Sequence, residues 1–483
     1  MSSPYETVIG LEAHVQLATQ SKAFCGDATA FGAEPNTQLS IVSLGYPGTL
    51  PRLNKKQLAY AIRLGLATKG QITKRTTFDR KNYVYADLPK GYQITQDRAP
   101  ISIGGHLPIR LPDGSSKHIR LHHIHMEEDA GKSIHSAGKN YTQIDLNRAG
   151  VPLLEVVTEP DLRSADEVAA FMRELRRLVR YLGISDGNMQ EGSLRCDVNI
   201  SIRPHGSKTY GTRTEVKNLN SMRYARQAIA FEVQRQTELL DEGELVVQET
   251  RQFDPQRGQT FSLRTKEEAH DYRYFPDPDL PPVQITKKQI DEQRNRASQL
   301  PWLAYAHIYE LLENDHKDTE NIIDEPEVYF WFSQLMDAGL PPKHTAKLVL
   351  NKLLPWLREH DLQPAQCPLS AEQIGKYLQL IESGKVAAAQ ANAKLLPALL
   401  EQPEHKPEKL ADELGLMQLQ DDDFLFRLAQ VVTSEFPDKV AAYKKGKKGL
   451  IGFFMGEVMK RSQGKAEPKA TRAILQKLLE NDA

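Results

Sequence analysis

No run of about eighteen apolar residues occurs in this chain, so a membrane-spanning helix is not expected. Cysteine is scarce. Cys25, Cys196 and Cys367 lie far apart, and no C-x-x-C pair exists. An odd, sparse set argues against a disulfide framework and fits a reducing, cytoplasmic location. The opening residues Met1-Ser-Ser-Pro-Tyr-Glu6 lack the basic-then-apolar pattern of a secretion signal. An excess of one charge is missing too, with a formal net charge of -1. Nucleic-acid binding would therefore need a local positive patch. No G-x-G-x-x-G follows a strand pattern, and there is no G-x-S-x-G elbow. Ala130-Gly131-Lys132-Ser133 resembles the end of a P-loop, but Met126 stands where the first glycine is required. A bound nucleotide would need a less common cradle.

What is present is an ordinary globular composition, 40% hydrophobic and 26% charged. At roughly 150 residues per domain, 483 residues suggest about three domains. Residues 1–290 carry short strand patterns and turn signals such as Pro47-Gly48, Asp113-Gly114 and Asp186-Gly187. Two helices interrupt them, expected over 165–182 and 221–240. Ser164 and Glu167 read as a capping box before the first. An α+β domain around a largely antiparallel sheet is expected. Helical periodicity takes over afterwards, giving an all-α domain over 291–404 and a small helical tail over 405–483. Gln402-Pro-Glu-His-Lys-Pro407 between them reads as a linker.

The stretch Ile9–Leu17 alternates strictly, with Glu12, His14 and Gln16 between apolar residues. Alternation places Glu12 and His14 on one strand face, where a carboxylate and an imidazole can bind a cation or move a proton. Glu155 sits alone among aliphatics in Pro152-Leu-Leu-Glu-Val-Val157, and a buried carboxylate needs a cation, a partner or a proton. His125-Met-Glu-Glu-Asp-Ala-Gly-Lys132 is a dense acidic patch that leaves Glu127 and Glu128 equally eligible. Glu191-Gly-Ser-Leu-Arg-Cys-Asp197 opens a two-faced strand with a polar face. Asp79-Arg-Lys-Asn-Tyr83 and Glu215-Val-Lys-Asn-Leu-Asn220 read as donor-rich loops that supply Lys81 and Lys217, and Asp271-Tyr-Arg-Tyr-Phe-Pro276 adds Arg273 between aromatics. Such cations hold phosphates, and such rings stack on bases.

Taken together with Gly10-Leu-Glu-Ala-His14, Phe31-Gly-Ala-Glu-Pro-Asn36 and Asp145-Leu-Asn-Arg148, these segments resemble the B subunit of the bacterial aspartyl/glutamyl-tRNA amidotransferase, in order, over nearly the whole chain. The resemblance implies a cradle-shaped catalytic domain, a helical domain and a tail that contacts tRNA. It implies ATP-dependent activation of the side-chain carboxylate of Glu-tRNA(Gln) or Asp-tRNA(Asn). Ammonia from a partner amidase then completes the amide, and a small third subunit clamps the two together. It assigns a metal site to Glu12, His14, Glu128 and Glu155, and the choice of Glu128 comes from the resemblance alone. Mg²⁺ prefers oxygen ligands, so His14 acts through water, accepts a proton, or the site takes Mn²⁺. Lys81, Arg195 and Lys217 are the candidate phosphate or carboxylate contacts. Lys81, Asn147, Arg148, Ser193 and Arg273 are the candidate nucleotide contacts. The competing reading is a non-catalytic tRNA-binding scaffold of the same complex.

Many members of this family bind zinc through C-G-C and C-P-V-C. Here those positions read Cys25-Gly-Asp27 and Ser40-Ile-Val-Ser43. One thiolate does not replace four soft ligands, so no structural zinc is expected and the loop should hold by packing. In the tail, Lys444, Lys445, Lys447 and Lys448 form a local positive patch, which the resemblance sets against tRNA.

Overall fold

The computed structural model describes residues 4–135, 140–219, 221–265, 272–418, 422–462, 466 and 468–480. Asn220 and Asp271, which belong to two of the motifs, lie outside the described residues. The chain forms two compact units, Met1–His307 and Ile308–Ala483. No described helix is long and apolar enough to cross a membrane.

The elements that carry the first unit are β1 (Tyr5–Gln16), α1 (Lys55–Ala67), β2 (Asp79–Asn82), β3 (Tyr92–Thr95), β4 (Ser116–Glu128), β5 (Pro152–Thr158), α2 (Ala165–Tyr181), β6 (Leu194–Pro204), β7 (Thr214–Leu219), α3 (Met222–Asp241), β8 (Glu249–Asp254), β9 (Gln259–Thr265) and α4 (Lys287–Arg296). The main sheet has the order β9-β8-β7-β6-β1-β5-β4, continued by the short strands Ser102–Ile103 and Gln71–Ile72, with His106–Arg110 also paired to β4. All of these pairings are antiparallel except β7 with β8. This is the α+β architecture expected.

Alternation sorts the two sheet faces. Leu11, Ala13 and Val15 of β1, Leu154 and Val156 of β5, and Leu194, Cys196 and Val198 of β6 enter one core with Phe171, Leu175 and Leu178 of α2. The polar residues between them are thereby turned to the opposite face. Ser164 caps α2 by accepting the Glu167 amide. The reciprocal half of the box is missing, because the Glu167 carboxylate accepts from the Arg163 amide and from Lys117 instead.

The first unit runs beyond residue 290. The guanidinium of Arg63 on α1 donates to Gln293 on α4 at 3.0 and 3.1 Å, which ties α4 to the sheet domain. In the second unit the 402–407 segment is fixed rather than a free linker: Gln373 donates to the carbonyls of Pro403 and His405. The helix Pro407–Glu413 packs against the helix Ala371–Glu382, so it belongs with the preceding helices. A separate small core begins later, built from Leu425, Val432, Phe454, Val458, Leu475 and their neighbours.

Candidate functional site

Strand register brings the polar residues together. His14 lies opposite Glu155 on one side and Arg195 on the other. Glu12 lies opposite Val157 and Asp197 in the next row, and Glu155 lies opposite His125. Residues from five neighbouring strands thus share one face over a cavity of about 290 Å³. Glu12, His14, Lys81, Glu155 and Lys217 line it, as do His123, His125, Glu127, Asp197 and Tyr274.

Two carboxylate groups divide the cavity. In the first, His14 Nε2 lies 3.2 Å from Glu155 Oε2 and 3.8 Å from Glu127 Oε1. His125 Nε2 bridges the same carboxylates at 3.4 and 3.5 Å. One donor atom from each of His14, Glu127 and Glu155 falls within 4.8 Å of the others, a spacing a single cation can span. His14 Nδ1 is buried with no hydrogen-bond partner among the described residues. In the second group, Lys217 Nζ sits 2.7 Å from Glu215 Oε1 and 3.2 Å from Asp197 Oδ2. Asn199 donates to Glu12 at 3.0 Å. An ammonium already fills the space between Asp197 and Glu215.

The electrostatics follow from burial. Desolvation raises the Glu12 carboxyl above its ordinary range, and the neighbouring charges of Glu155 and Glu215 add to the rise. For His14 and His125 desolvation favours the neutral ring, but the adjacent carboxylates outweigh it. Both are raised, His125 to about 10. Glu155 is held well below the usual carboxylate range because His125 and His14 overcome the cost of its burial. Desolvation, together with the neighbouring His125 and His122, lowers His123 to about 4. Burial also works against a charged Lys81, yet Glu127, Tyr274 and Glu155 raise it. Its ammonium lies 4.9 Å from the Tyr272 ring centroid and 5.9 Å from that of Tyr83.

Glu128 is not in this cavity. Successive residues of β4 point to opposite faces, so Glu127 turns in and Glu128 turns away. The Glu128 carboxylate pairs with Lys90 and accepts the Ile94 amide at 3.0 Å. Arg195 spends two donors on Asp129, at 3.1 and 2.9 Å, and Gln16 donates to the same carboxylate. The expected nucleotide contacts other than Lys81 do not line the cavity either. Asn147 accepts the Gln38 amide and donates to the Glu34 carbonyl. Arg148 donates to the carbonyls of Ala130 and Gly131. Ser193 accepts the Gln16 amide through its own carbonyl. Arg273 is exposed, in a left-handed conformation with φ 42°, and its carbonyl accepts from Asn82.

The loop around Cys25 is held by hydrogen bonds, next to Ala23 and Phe24 packed in the core. Asp27 Oδ2 accepts from Cys25 Sγ at 3.3 Å and from both the amide and the hydroxyl of Ser40 at 2.9 Å. Burial pushes the Cys25 thiol up to about 11. A single thiol beside a carboxylate that already accepts from three donors does not fit zinc. In the tail, Lys444, Lys445, Lys447 and Lys448 are all exposed. Lys448 lies 4.3 Å from the Tyr443 ring centroid and 3.7 Å from Glu480.

Residues 7–291 match the family described as the GatB/GatE catalytic domain, and residues 331–479 match the GatB domain. The B subunit of the aspartyl/glutamyl-tRNA(Asn/Gln) amidotransferase of Persephonella marina is 44% identical over 98% of this chain and 99% of its own length. The B subunits of the same name from Geobacter sulfurreducens and Halorhodospira halophila are each 46% identical, over 98% and 99% of this chain and 99% of theirs. The chain belongs to the family of aspartyl/glutamyl-tRNA(Asn/Gln) amidotransferase B subunits.

Proposed function

We propose that this chain, acting in the cytoplasm, uses ATP to phosphorylate the side-chain carboxylate of glutamate or aspartate carried on tRNA. Ammonia from an amidase partner then replaces the phosphoryl group, with a small clamp subunit completing the complex. The observation that carries this reading is the single cavity that sets two lysines, Lys81 and Lys217, beside the carboxylates and imidazoles of one sheet face. At about 290 Å³ it lies near the lower end of ligand clefts, roughly 300–1,000 Å³. That volume suits the reacting phosphoryl and carboxyl groups, with the rest of each substrate outside.

A carboxylate repels nucleophiles, and an acyl phosphate does not. Phosphoryl transfer depends mainly on positioning and on neutralising charge, and the cavity supplies both. The Lys217 ammonium, held between Asp197 and Glu215, faces the cavity with fixed orientation. The Lys81 ammonium adds a second positive charge among aromatic rings. His14, Glu127 and Glu155 fit a divalent cation. The oxygen-rich set suits Mg²⁺, and the imidazole admits Mn²⁺. When bound, that ion neutralises charge on the transferred phosphoryl group. The ligand set therefore takes Glu127 in place of Glu128, with Glu12 beside it. No structural zinc is part of this reading, and the tail lysines serve the tRNA backbone.

The test uses the assembled complex with free ammonia. Glu12→Gln and Glu155→Gln should abolish ATP-dependent amide formation and leave tRNA affinity unchanged. A scaffold without catalysis would tolerate both changes.

A further inference from the structure

The polar face of the sheet extends past the cavity to a strand that the chemistry above does not use. β8 runs parallel to β7, with Thr250 opposite Glu215 and Gln252 opposite Lys217. The Thr250 hydroxyl donates to Glu215 Oε2 at 2.9 Å. The other oxygen, Oε1, takes Lys217 at 2.7 Å. Each oxygen of Glu215 therefore has its own partner, and the carboxylate cannot turn without losing one. Lys217 has a flexible four-carbon stem, so an ammonium aimed at a fixed point needs such a clamp.

The strand bearing Thr250 is itself anchored from below. Its neighbours Glu249 and Arg251 enter a network with Glu232 on α3, whose side chain is fully buried. Arg251 Nε lies 3.0 Å and Arg235 Nη2 2.8 Å from the Glu232 carboxylate, and the Thr260 hydroxyl of β9 donates to it. Arg251 also donates to Glu249 at 2.5 Å and to the Thr260 carbonyl at 2.8 Å. Arg235 reaches the Thr214 hydroxyl at the start of β7, 3.4 Å away. One buried carboxylate thus ties α3, β7, β8 and β9 together, and breaking such a network costs far more than a surface pair.

We infer that Thr250 is a positioning residue for the amidation reaction: through Glu215 it fixes the Lys217 ammonium at the cavity wall, and the Glu232 network fixes Thr250. This rests on the reading of Lys217 as a cavity cation. Thr250→Val keeps the shape and removes the hydroxyl. In the assembled complex with ATP and free ammonia, kcat should fall about tenfold, as expected when one hydrogen bond to a charged group is lost. KM for the charged tRNA should stay the same. Thr250→Ser restores the hydroxyl and should return kcat to within about twofold of the parent. If Thr250→Val does not assemble, Thr250→Ala removes the same hydroxyl without adding bulk, and the same outcomes decide. Unchanged kcat in the hydroxyl-free variant overturns the inference, as does a Thr250→Ser variant equally impaired. Lys217→Met separates this from the wider reading. An inactive Lys217→Met beside a fully active Thr250→Val defeats the inference alone. A fully active Lys217→Met defeats the reading of the cavity and the inference with it.

Discussion

Glu127 and Glu128 are adjacent in sequence and face opposite ways, so exchanging each for glutamine should have opposite consequences. Glu127 Oε1 lies 3.8 Å from His14 Nε2, and Glu127 Oε2 lies 3.5 Å from His125 Nε2. A unit negative charge about 4 Å from a cation, at an effective dielectric near 20, is worth roughly 4 kcal/mol. At about 1.4 kcal/mol per factor of ten, Glu127→Gln should slow ammonia-dependent amidation on the order of a thousandfold. It should also weaken Mn²⁺ binding, read by the electron paramagnetic resonance of free Mn²⁺ in a titration. Glu128→Gln removes the partner of the part-buried Lys90 and leaves that ammonium uncompensated. Its cost falls on stability, roughly 3 kcal/mol, and appears as a lower melting temperature. Mn²⁺ affinity should be retained. Loss of Mn²⁺ binding in Glu128→Gln with normal binding in Glu127→Gln would refute the assignment.

Three further outcomes follow from other parts of the molecule. Changing Lys444, Lys445, Lys447 and Lys448 together to Glu should weaken tRNA affinity and flatten its dependence on salt, measured by filter binding across an ionic-strength series; an unchanged slope means the patch does not touch tRNA. With its thiol pushed up to about 11 from the reference 9.0, Cys25 should hold about a hundredfold less thiolate at pH 8 than a free cysteine, so iodoacetamide should label it slowly, and labelling at the free-thiol rate contradicts the buried, hydrogen-bonded placement. Burial works to raise the Asp129 carboxyl, but Arg195 and Arg148 outweigh it and hold it low. The stability this confers is present above the unfolded value, about 3.9, and is lost as pH falls through the folded one. Asp129→Asn should therefore lower the melting temperature at pH 7 and narrow the gap to the parent in acid; an equal gap at all pH values contradicts the pairing.

The site was legible where one local rule decides it. Glu12 and His14 stand out because β1 alternates without a break from Ile9 to Gln16, and Glu155 because it is the lone carboxylate in an aliphatic strand. The same rule selects Glu127: His123, His125 and Glu127 alternate with Ile124 and Met126. The run Glu127-Glu128-Asp129 hides that period, because three adjacent acids look interchangeable when only composition is weighed. Arg195 was on the right strand face, but its partner Asp129 lies 66 residues away, and no local pattern announces that pairing. Asn147, Arg148 and Ser193 belong to motifs whose polar groups close loops, which sequence cannot distinguish from ligand contacts. The first unit ran past residue 290 for a similar reason: the contact between Arg63 and Gln293 that ties α4 to the sheet domain joins residues far apart in the chain. Capping was half legible: Ser164 caps α2, while Glu167 finds stronger partners in Lys117 and the Arg163 amide.

Carboxyl phosphorylation leaves an isotopic record. When the side-chain carboxylate of tRNA-bound glutamate carries ¹⁸O, the oxygen that bridges to phosphorus leaves with the phosphate as ammonia attacks. Inorganic phosphate formed during amidation by the assembled complex should therefore contain one ¹⁸O per amide made. Phosphate free of ¹⁸O, with amide accumulating at the normal rate, would contradict activation through an acyl phosphate.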